Sequence, residues 1–280
     1  MNVLLTGAYG RCGTAIIDHL HDDPDYDFTY LDRNDPDDGD EYGEYETVVG
    51  DVADATAVRS AAADQDAMIH LAGYPFTDGT WNDVHQPNVI GVLNALEAAR
   101  TAELETVVFA SSNHVMGMYE SENAPELYFG SEAPFQLSHE DPVRPDSYYG
   151  VSKSFGEDLC RYYVENYEYP KRAHAIRICS VRMPEYDHPY GDAEHDVDDG
   201  ECERGSDQYE QQVARMKAMW QSRRDFAHMM DCCLQTDDPG FEIFSGVSDN
   251  DRRWYSIENA RETIDYEPQD NGETWDSPPA

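Results

Sequence analysis

The chain has 280 residues, with 19 Lys+Arg against 58 Asp+Glu and a formal net charge of −39. This length can bury a sizeable core and suits one large α/β unit with a small appended lobe, while the charge excludes a basic nucleic-acid footprint and would be repelled by anionic membranes. Low hydrophobicity with high charge also marks disordered chains, but strongly periodic apolar segments argue for a fold, and the acidic coat reads as adaptation to molar salt, where a Debye length of roughly 3 Å screens its self-repulsion.

Met1 leads straight into the apolar run Val3-Leu4-Leu5, so no signal peptide is expected, and no stretch approaches the ~20 apolar residues of a membrane span. Asn2 to Thr6 reads as a buried strand. Gly7-Ala-Tyr-Gly10-Arg-Cys-Gly13 follows at once, then a helical run from Thr14 to His21. Strand, glycine-rich turn and helix together suit a dinucleotide pyrophosphate, because glycines admit the phosphates to backbone N–H groups at a helix N-terminus. A second strand, Phe28 to Leu31, ends in Asp32, whose carboxylate can accept ribose hydroxyls and would repel a 2′-phosphate. That favours NAD, while the adjacent Arg33 keeps NADP open. Asn34 to Glu46 is an acidic, turn-rich loop. Glu46 to Val49 forms the third strand, ending at Asp51-Val52 within reach of an adenine, and the helix Ala53 to Ala63 follows.

Ala67 to Leu71 is the fourth strand. It carries His70-Leu-Ala-Gly73 at its carboxyl end, where open α/β sheets bind ligands. Trp81 to Arg100 reads as one long helix containing Asn88, by itself an ordinary hydrogen-bonded core residue. The fifth strand, Thr106 to Ala110, runs into Ser111-Ser-Asn-His114, where four polar side chains suggest a site more than a turn, the alternative for Asn113 and His114 being to cap backbone groups. Leu127 to Asp146 is irregular. A helix then runs from Ser147 to about Tyr167 and places Tyr149 and Lys153 on one face, one turn apart. A neighbouring ammonium favours the phenolate, so this Tyr can serve as a general base nearer neutral pH than the ordinary ~10. The chain has only three lysines, which makes a chance pairing uncommon. Ala173 to Ile178 is the sixth strand.

In this order, Gly-x-x-Gly-x-x-Gly, Asp32, His-Leu-Ala-Gly, Ser-Ser and Tyr-x-x-x-Lys resemble the extended short-chain dehydrogenase/reductase family over nearly the whole chain. Tyr255 to Asp270 is similar to that family's closing helix and Gly-Tyr-x-Pro stretch, with Asp265 in place of the glycine. Ser111-Ser-Asn-His114, Tyr149 to Lys153, Arg177-Ile-Cys-Ser180, Arg215 to Trp220, Ser222-Arg-Arg-Asp225 and Ser248-Asp-Asn-Asp251 resemble the uronate dehydrogenases and the salt-adapted NAD-dependent glucose-6-phosphate dehydrogenases. The resemblance implies a Rossmann doubly wound sheet, with residues 1–180 binding NAD and residues 181–280 forming a substrate lobe interleaved with that core.

It also implies roles. Tyr149 takes the proton of an anomeric hydroxyl, Lys153 lowers its pKa and holds the nicotinamide ribose, Ser112 bonds the reacting oxygen, and Asn88 holds a relay water near Lys153. Cofactor contacts would come from Gly7, Tyr9, Gly10, Arg11, Cys12, Gly13, Asp32, Arg33, Asp51, Val52, Leu71, Ala72, Gly73, Asn88, Ser111, Tyr149, Lys153 and Ile178. Ser112, Asn113, His114, Tyr149, Ser180 and Arg215 would line the sugar pocket. The product would be a lactone, with glucose 6-phosphate or a hexuronate as the expected substrate. An NDP-sugar epimerase or dehydratase, a neutral pentose or hexose dehydrogenase and a non-catalytic NAD-sensing regulator are the alternatives.

The remaining features read as structural. The acidic insertion Asp187 to Asp207 is expected to be a solvated loop rather than a lid, and Arg223 and Arg224 to form salt bridges on a helix. Asp196-Val-Asp198-Asp199-Gly200 has the wrong spacing for a calcium loop, and no metal site is expected. Six cysteines without paired spacing fit free thiols in a cytoplasmic protein. Expected partners are a small sugar and further copies of the chain in a homo-oligomer, with neither nucleic acid nor membrane.

Overall fold

The computed structural model describes residues 1–36, 41–130 and 133–279. Seven strands form its sheet: β1 (Asn2–Thr6), β2 (Asp27–Asp32), β3 (Thr47–Val49), β4 (Ala67–His70), β5 (Thr106–Ser112), β6 (Arg172–Ile178) and β7 (Gly240–Gly246). All pair in parallel, in the order β3-β2-β1-β4-β5-β6-β7. Side chains alternate between two apolar layers, as strand geometry dictates. Val3, Leu5, Ile69, Val108, Ile176 and Phe244 enter one layer, while Leu4, Met68, Val107, Phe109, Ala175 and Ile243 enter the other. A parallel sheet needs both faces covered, and the helices supply the cover.

The α-helices are α1 (Arg11–Leu20), α2 (Ala55–Ala61), α3 (Trp81–Val84), α4 (Gly91–Ala102), α5 (Gly117–Asn123), α6 (Glu126–Phe129), α7 (Tyr148–Asn166), α8 (Gly191–Asp198), α9 (Asp207–Met219), α10 (Arg223–Gln235) and α11 (Glu258–Ile264). Helices α1 and α10 close the first layer through Ile16, Phe226 and Met230. Helices α2, α4 and α7 close the second through Val58, Leu96 and Cys160. The expected doubly wound α/β architecture is present. Because the winding reverses between β1 and β4, a crevice opens at their carboxyl ends.

Four local features differ from the sequence reading. β7 joins the sheet beside β6, so residues beyond 180 complete the core; its short run, bracketed by Gly240 and Gly246, gave too little pattern to be read. The helix from Trp81 to Arg100 is interrupted by a π-helical segment, His85–Ile90, around Pro87. Proline donates no helical hydrogen bond, and the wider i→i+5 turn absorbs the misfit. β5 continues through Ser111 and Ser112, so both serines are fixed by the ladder. The acidic insertion is not a solvated loop: Tyr190 and Ala193 pack with Tyr209 and Val213, with Val197 at the edge. These apolar positions recur at helical spacing among the acidic residues, which hid the amphipathic pattern of α8.

Of the acidic loop Asn34 to Glu46, positions 37–40 lie outside the described residues, as do 131–132 of the irregular stretch Leu127 to Asp146. Asp265, standing where the family carries glycine, has φ +55° at the end of α11. Aspartate is one of the few side chains that tolerate this left-handed helix stop.

Candidate active site

The glycine turn is set by close contacts. Gly7 has φ +73°, and a Cβ there would lie 2.8 Å from the Ala72 nitrogen; at Gly13 it would lie 2.2 Å from the Ala8 oxygen. Neither position can take a side chain without moving backbone. Helix α1 starts at Gly10 with no side-chain cap, and the N–H groups of Arg11, Cys12 and Gly13 find no acceptor among the described residues. Open donors at a helix N-terminus fit a pyrophosphate. At the tip of β2, the Asp32 carboxylate accepts from the N–H of Tyr9 (3.2 Å) and of Arg33 (2.7 Å), which pins it beside the crevice. Next to it, Gly50, Asp51, Val52 and Pro87 line a small adjoining hollow.

Helix α7 carries Tyr149 and Lys153. Ser147 caps it by accepting from the Gly150 N–H (3.1 Å). Tyr149, Lys153 and Glu157 then recur every four residues along one face. Lys153 donates to the Ala110 carbonyl (2.7 Å), and its nitrogen lies 5.7 Å from the centre of the Tyr149 ring. Glu157 accepts two bonds from Arg177, each 2.9 Å, and one from the Ser111 hydroxyl.

The charge balance at Tyr149 is opposite to the expectation. Burial pushes its phenol up to about 12, against the lowering effect of the Ser112 hydroxyl. Burial likewise brings Lys153 down to about 8. The ammonium spends a bond on Ala110 rather than on the phenol, so desolvation of the phenolate outweighs it.

At the carboxyl end of β5, Ser112 is almost wholly buried and its oxygen accepts from the His114 N–H (3.2 Å). His114 pairs with Asp146 (2.7 Å) and packs edge-on against Tyr149. The Asn113 side-chain NH2 is buried with no partner among the described residues. Arg215, on α9, is paired with Glu120 of α5. Ser222, Asp225, Ser248 and Asn250 prove to be framework. Asp225 accepts from Ser248 (2.6 Å) and from the N–H of Gln269 (2.8 Å), and Asn250 donates to the Trp220 carbonyl (2.8 Å). Arg223 pairs with Asp18 and Arg224 with Asp270, the salt bridges expected of them.

One cleft of ≈ 640 Å³ brings these parts together. It is lined by Gly7, Gly10, Arg11, Cys12, Gly13, Asp32, Arg33, Leu71, Ala72 and Gly73 on one side. On the other stand Ser111, Ser112, Asn113, His114, Tyr149, Lys153, Ile178, Ser180 and Arg215. Of the expected residues, Tyr9 and Asn88 stand outside this cleft, Asp51 and Val52 line only the adjoining hollow, and Ser111 lines the cleft without offering it a free hydroxyl. The Tyr9 ring packs near Tyr30 and Tyr42, with its hydroxyl on Thr47 (2.6 Å). The Ser111 hydroxyl is spent on Glu157. The Asn88 amide is occupied by the Tyr74 N–H (2.6 Å), the Tyr74 carbonyl (3.2 Å) and Ser152 (2.9 Å), so it clamps the loop after β4 to α7.

Sequence reasoning missed Tyr74, Phe76, Cys179, Arg182 and Glu120. No motif marks Tyr74, Phe76 and Arg182 as cleft residues, Cys179 falls inside the Arg177-Ile-Cys-Ser180 motif without being singled out, and Glu120 meets Arg215 only across 95 residues of chain. Among the described residues, no group of three or more His, Cys, Asp or Glu side chains is placed to hold a metal ion, and no helix is long and apolar enough to cross a membrane.

Known proteins resemble this chain over most of its length. The NAD-dependent glucose-6-phosphate dehydrogenase of Haloferax volcanii is 39% identical over 273 residues, covering 96% of this chain and 93% of its own length. The L-arabinose 1-dehydrogenase (NAD(P)(+)) of the same organism is 31% identical, covering 97% and 98%. The crystal structure of a mutant uronate dehydrogenase from Agrobacterium tumefaciens complexed with NAD superposes with a TM-score of 0.73 at 27% identity, covering 98% of this chain and 86% of that one. A model of the NAD dependent epimerase/dehydratase family matches residues 3–234. With that match spanning most of the sheet and the α7 helix, the chain belongs to the NAD dependent epimerase/dehydratase family.

Proposed function

We propose that this chain is an NAD-dependent sugar dehydrogenase that oxidises the anomeric carbon of an aldose to its lactone. The observation that carries the reading is the meeting, in one cleft, of an uncapped α1 N-terminus, Asp32, and the Tyr149–Lys153–Ser112 group. NAD, when bound, supplies the hydride acceptor. Asp32 would hold the adenosine ribose, the α1 N–H groups the pyrophosphate, and Lys153 the nicotinamide ribose. Ser112 would orient the anomeric hydroxyl toward Tyr149. Tyr149 would accept that proton as the C1–H bond yields its electron pair and the carbonyl forms. A permanent positive charge at the nicotinamide end would bring the Tyr149 phenol back down from its raised value.

The glucose-6-phosphate and uronate relatives support an aldose with an anionic group, and Arg215 and Arg182 are the guanidinium groups lining the substrate end. Residues 1–180 would then be the cofactor half, and 181–280 the substrate lobe that also lends β7 to the sheet. Six unpaired cysteines support a cytoplasmic setting. Exposed Leu93 on α4 and Val151, Phe155 and Tyr162 on α7 offer a face for a second copy of the chain in a homo-oligomer; sedimentation of a Phe155→Glu variant as a monomer would support that assignment.

The test is a panel of aldoses, hexuronates and sugar phosphates in molar salt, followed by NADH absorbance. Net NADH formation distinguishes a dehydrogenase from an epimerase or dehydratase that reoxidises its cofactor each cycle. Tyr149→Phe should bind NAD nearly as well and turn over at least ~10²-fold more slowly, the scale for loss of a general base. A variant that keeps most of its activity removes Tyr149 from the role.

A further inference from the structure

The guanidinium best placed to read a substrate's charge is already answered by the protein. Arg215 Nε donates to Glu120 Oε1, and Nη2 lies 3.3 Å from Glu120 Oε2. The two side chains are only 24% and 12% exposed, so water screens the pair weakly. Glu120 is held for this contact, because its Oε1 also accepts from the Tyr128 hydroxyl (2.8 Å). Arg215 holds the Glu120 carboxyl below the usual range in spite of burial, and a second carboxylate, Asp192, acts on Arg215 as well. Asp192 is in turn spent on Arg182, whose Nη2 lies 2.7 Å away. The substrate end of the cleft is thus lined by arginines each matched to a carboxylate.

An anionic sugar group meeting Arg215 therefore meets Glu120 behind it. Attraction to the guanidinium is offset by repulsion from a carboxylate one bond further away, in surroundings where both act at low dielectric. A neutral hydroxyl feels neither term strongly and can use whatever guanidinium N–H remains. We infer that Glu120 is a specificity-determining residue: by compensating Arg215 it lowers the preference for anionic over neutral sugars below what the arginine alone would set. This rests on the sugar dehydrogenase reading and deepens it.

The experiment compares wild type with Glu120→Gln, which keeps the side-chain shape and its acceptor oxygen but removes the charge. The probes are glucose 6-phosphate, glucuronate and glucose, with KM from NADH formation and binding from calorimetry on the NAD-loaded protein. The expected result is a rise of at least ~10-fold in the anionic-to-neutral ratio of 1/KM, with the same direction in the calorimetric Kd. Arg215→Met should lower the ratio, and in Glu120→Gln/Arg215→Met the gain should disappear, a coupling that a merely structural Glu120 would not produce. An unchanged or reduced ratio in Glu120→Gln, or a gain that survives in the double variant, overturns the inference. If no sugar gives NADH with wild type and none binds, the dehydrogenase reading itself has failed, which is a different outcome.

Discussion

Replacing Glu157 by Gln tests how the reactive helix is anchored. Glu157 and Arg177 are 4% and 2% exposed in their side chains and share two bonds of 2.9 Å, with Ser111 adding a third to the same carboxylate. Removing one charge leaves a buried guanidinium without its counter-ion, which costs about 3–5 kcal/mol. The amide of Gln can keep one of the Arg177 contacts, so the lower end of that range is expected. Because the pair lies beyond the reach of mobile ions, the loss should be nearly the same in low and molar salt, unlike the effect of a surface ion pair. Urea unfolding at several salt concentrations measures it, with the midpoint read at constant slope. Since Tyr149, Lys153 and Glu157 share one helical face, a loosened anchor should also lower kcat more than it raises KM. Glu157→Leu/Arg177→Met removes both charges and should recover most of the stability. A single-variant loss below about 1 kcal/mol, or one that vanishes in molar salt, would refute the reasoning.

Two further outcomes follow from the cleft. Asp32→Ala should weaken NAD by at least ~10-fold and relax discrimination against NADP, because the carboxylate at the end of β2 is what would repel a 2′-phosphate; an unmoved cofactor preference in paired NAD and NADP titrations removes Asp32 from the ribose. With Tyr149 raised to about 12 and Lys153 lowered to about 8, the working form, phenolate beside ammonium, is a minority species whose share grows with pH until Lys153 begins to lose its proton. The ratio kcat/KM should therefore rise with pH toward about 8, less steeply the further bound NAD lowers the phenol, and a fall with rising pH in that range would contradict the assignment.

Much of the fold was legible from local pattern. The buried runs at Asn2, Ala67, Thr106 and Ala173, the glycine turn and the placement of Tyr149 one turn before Lys153 depend on side-chain period and turn chemistry, which act over a few residues. The order of the motifs therefore pointed to the sheet class and to most of the cleft lining. What the sequence alone could not decide depended on partners far along the chain. β7 is a strand because β6 offers it a ladder, and α8 is a helix because α9 buries its apolar side. Asn88 is a clamp because Tyr74 and Ser152 occupy its amide. The charge of the site was the least legible of all. Tyr149 and Lys153 are neighbours by spacing, but their ionisation is governed by desolvation, and Arg215 is met by Glu120 across 95 residues of chain. Burial and long-range pairing arise only when the helices close over the sheet, so the tertiary structure set the electrostatics of residues that the sequence had already brought to the same place.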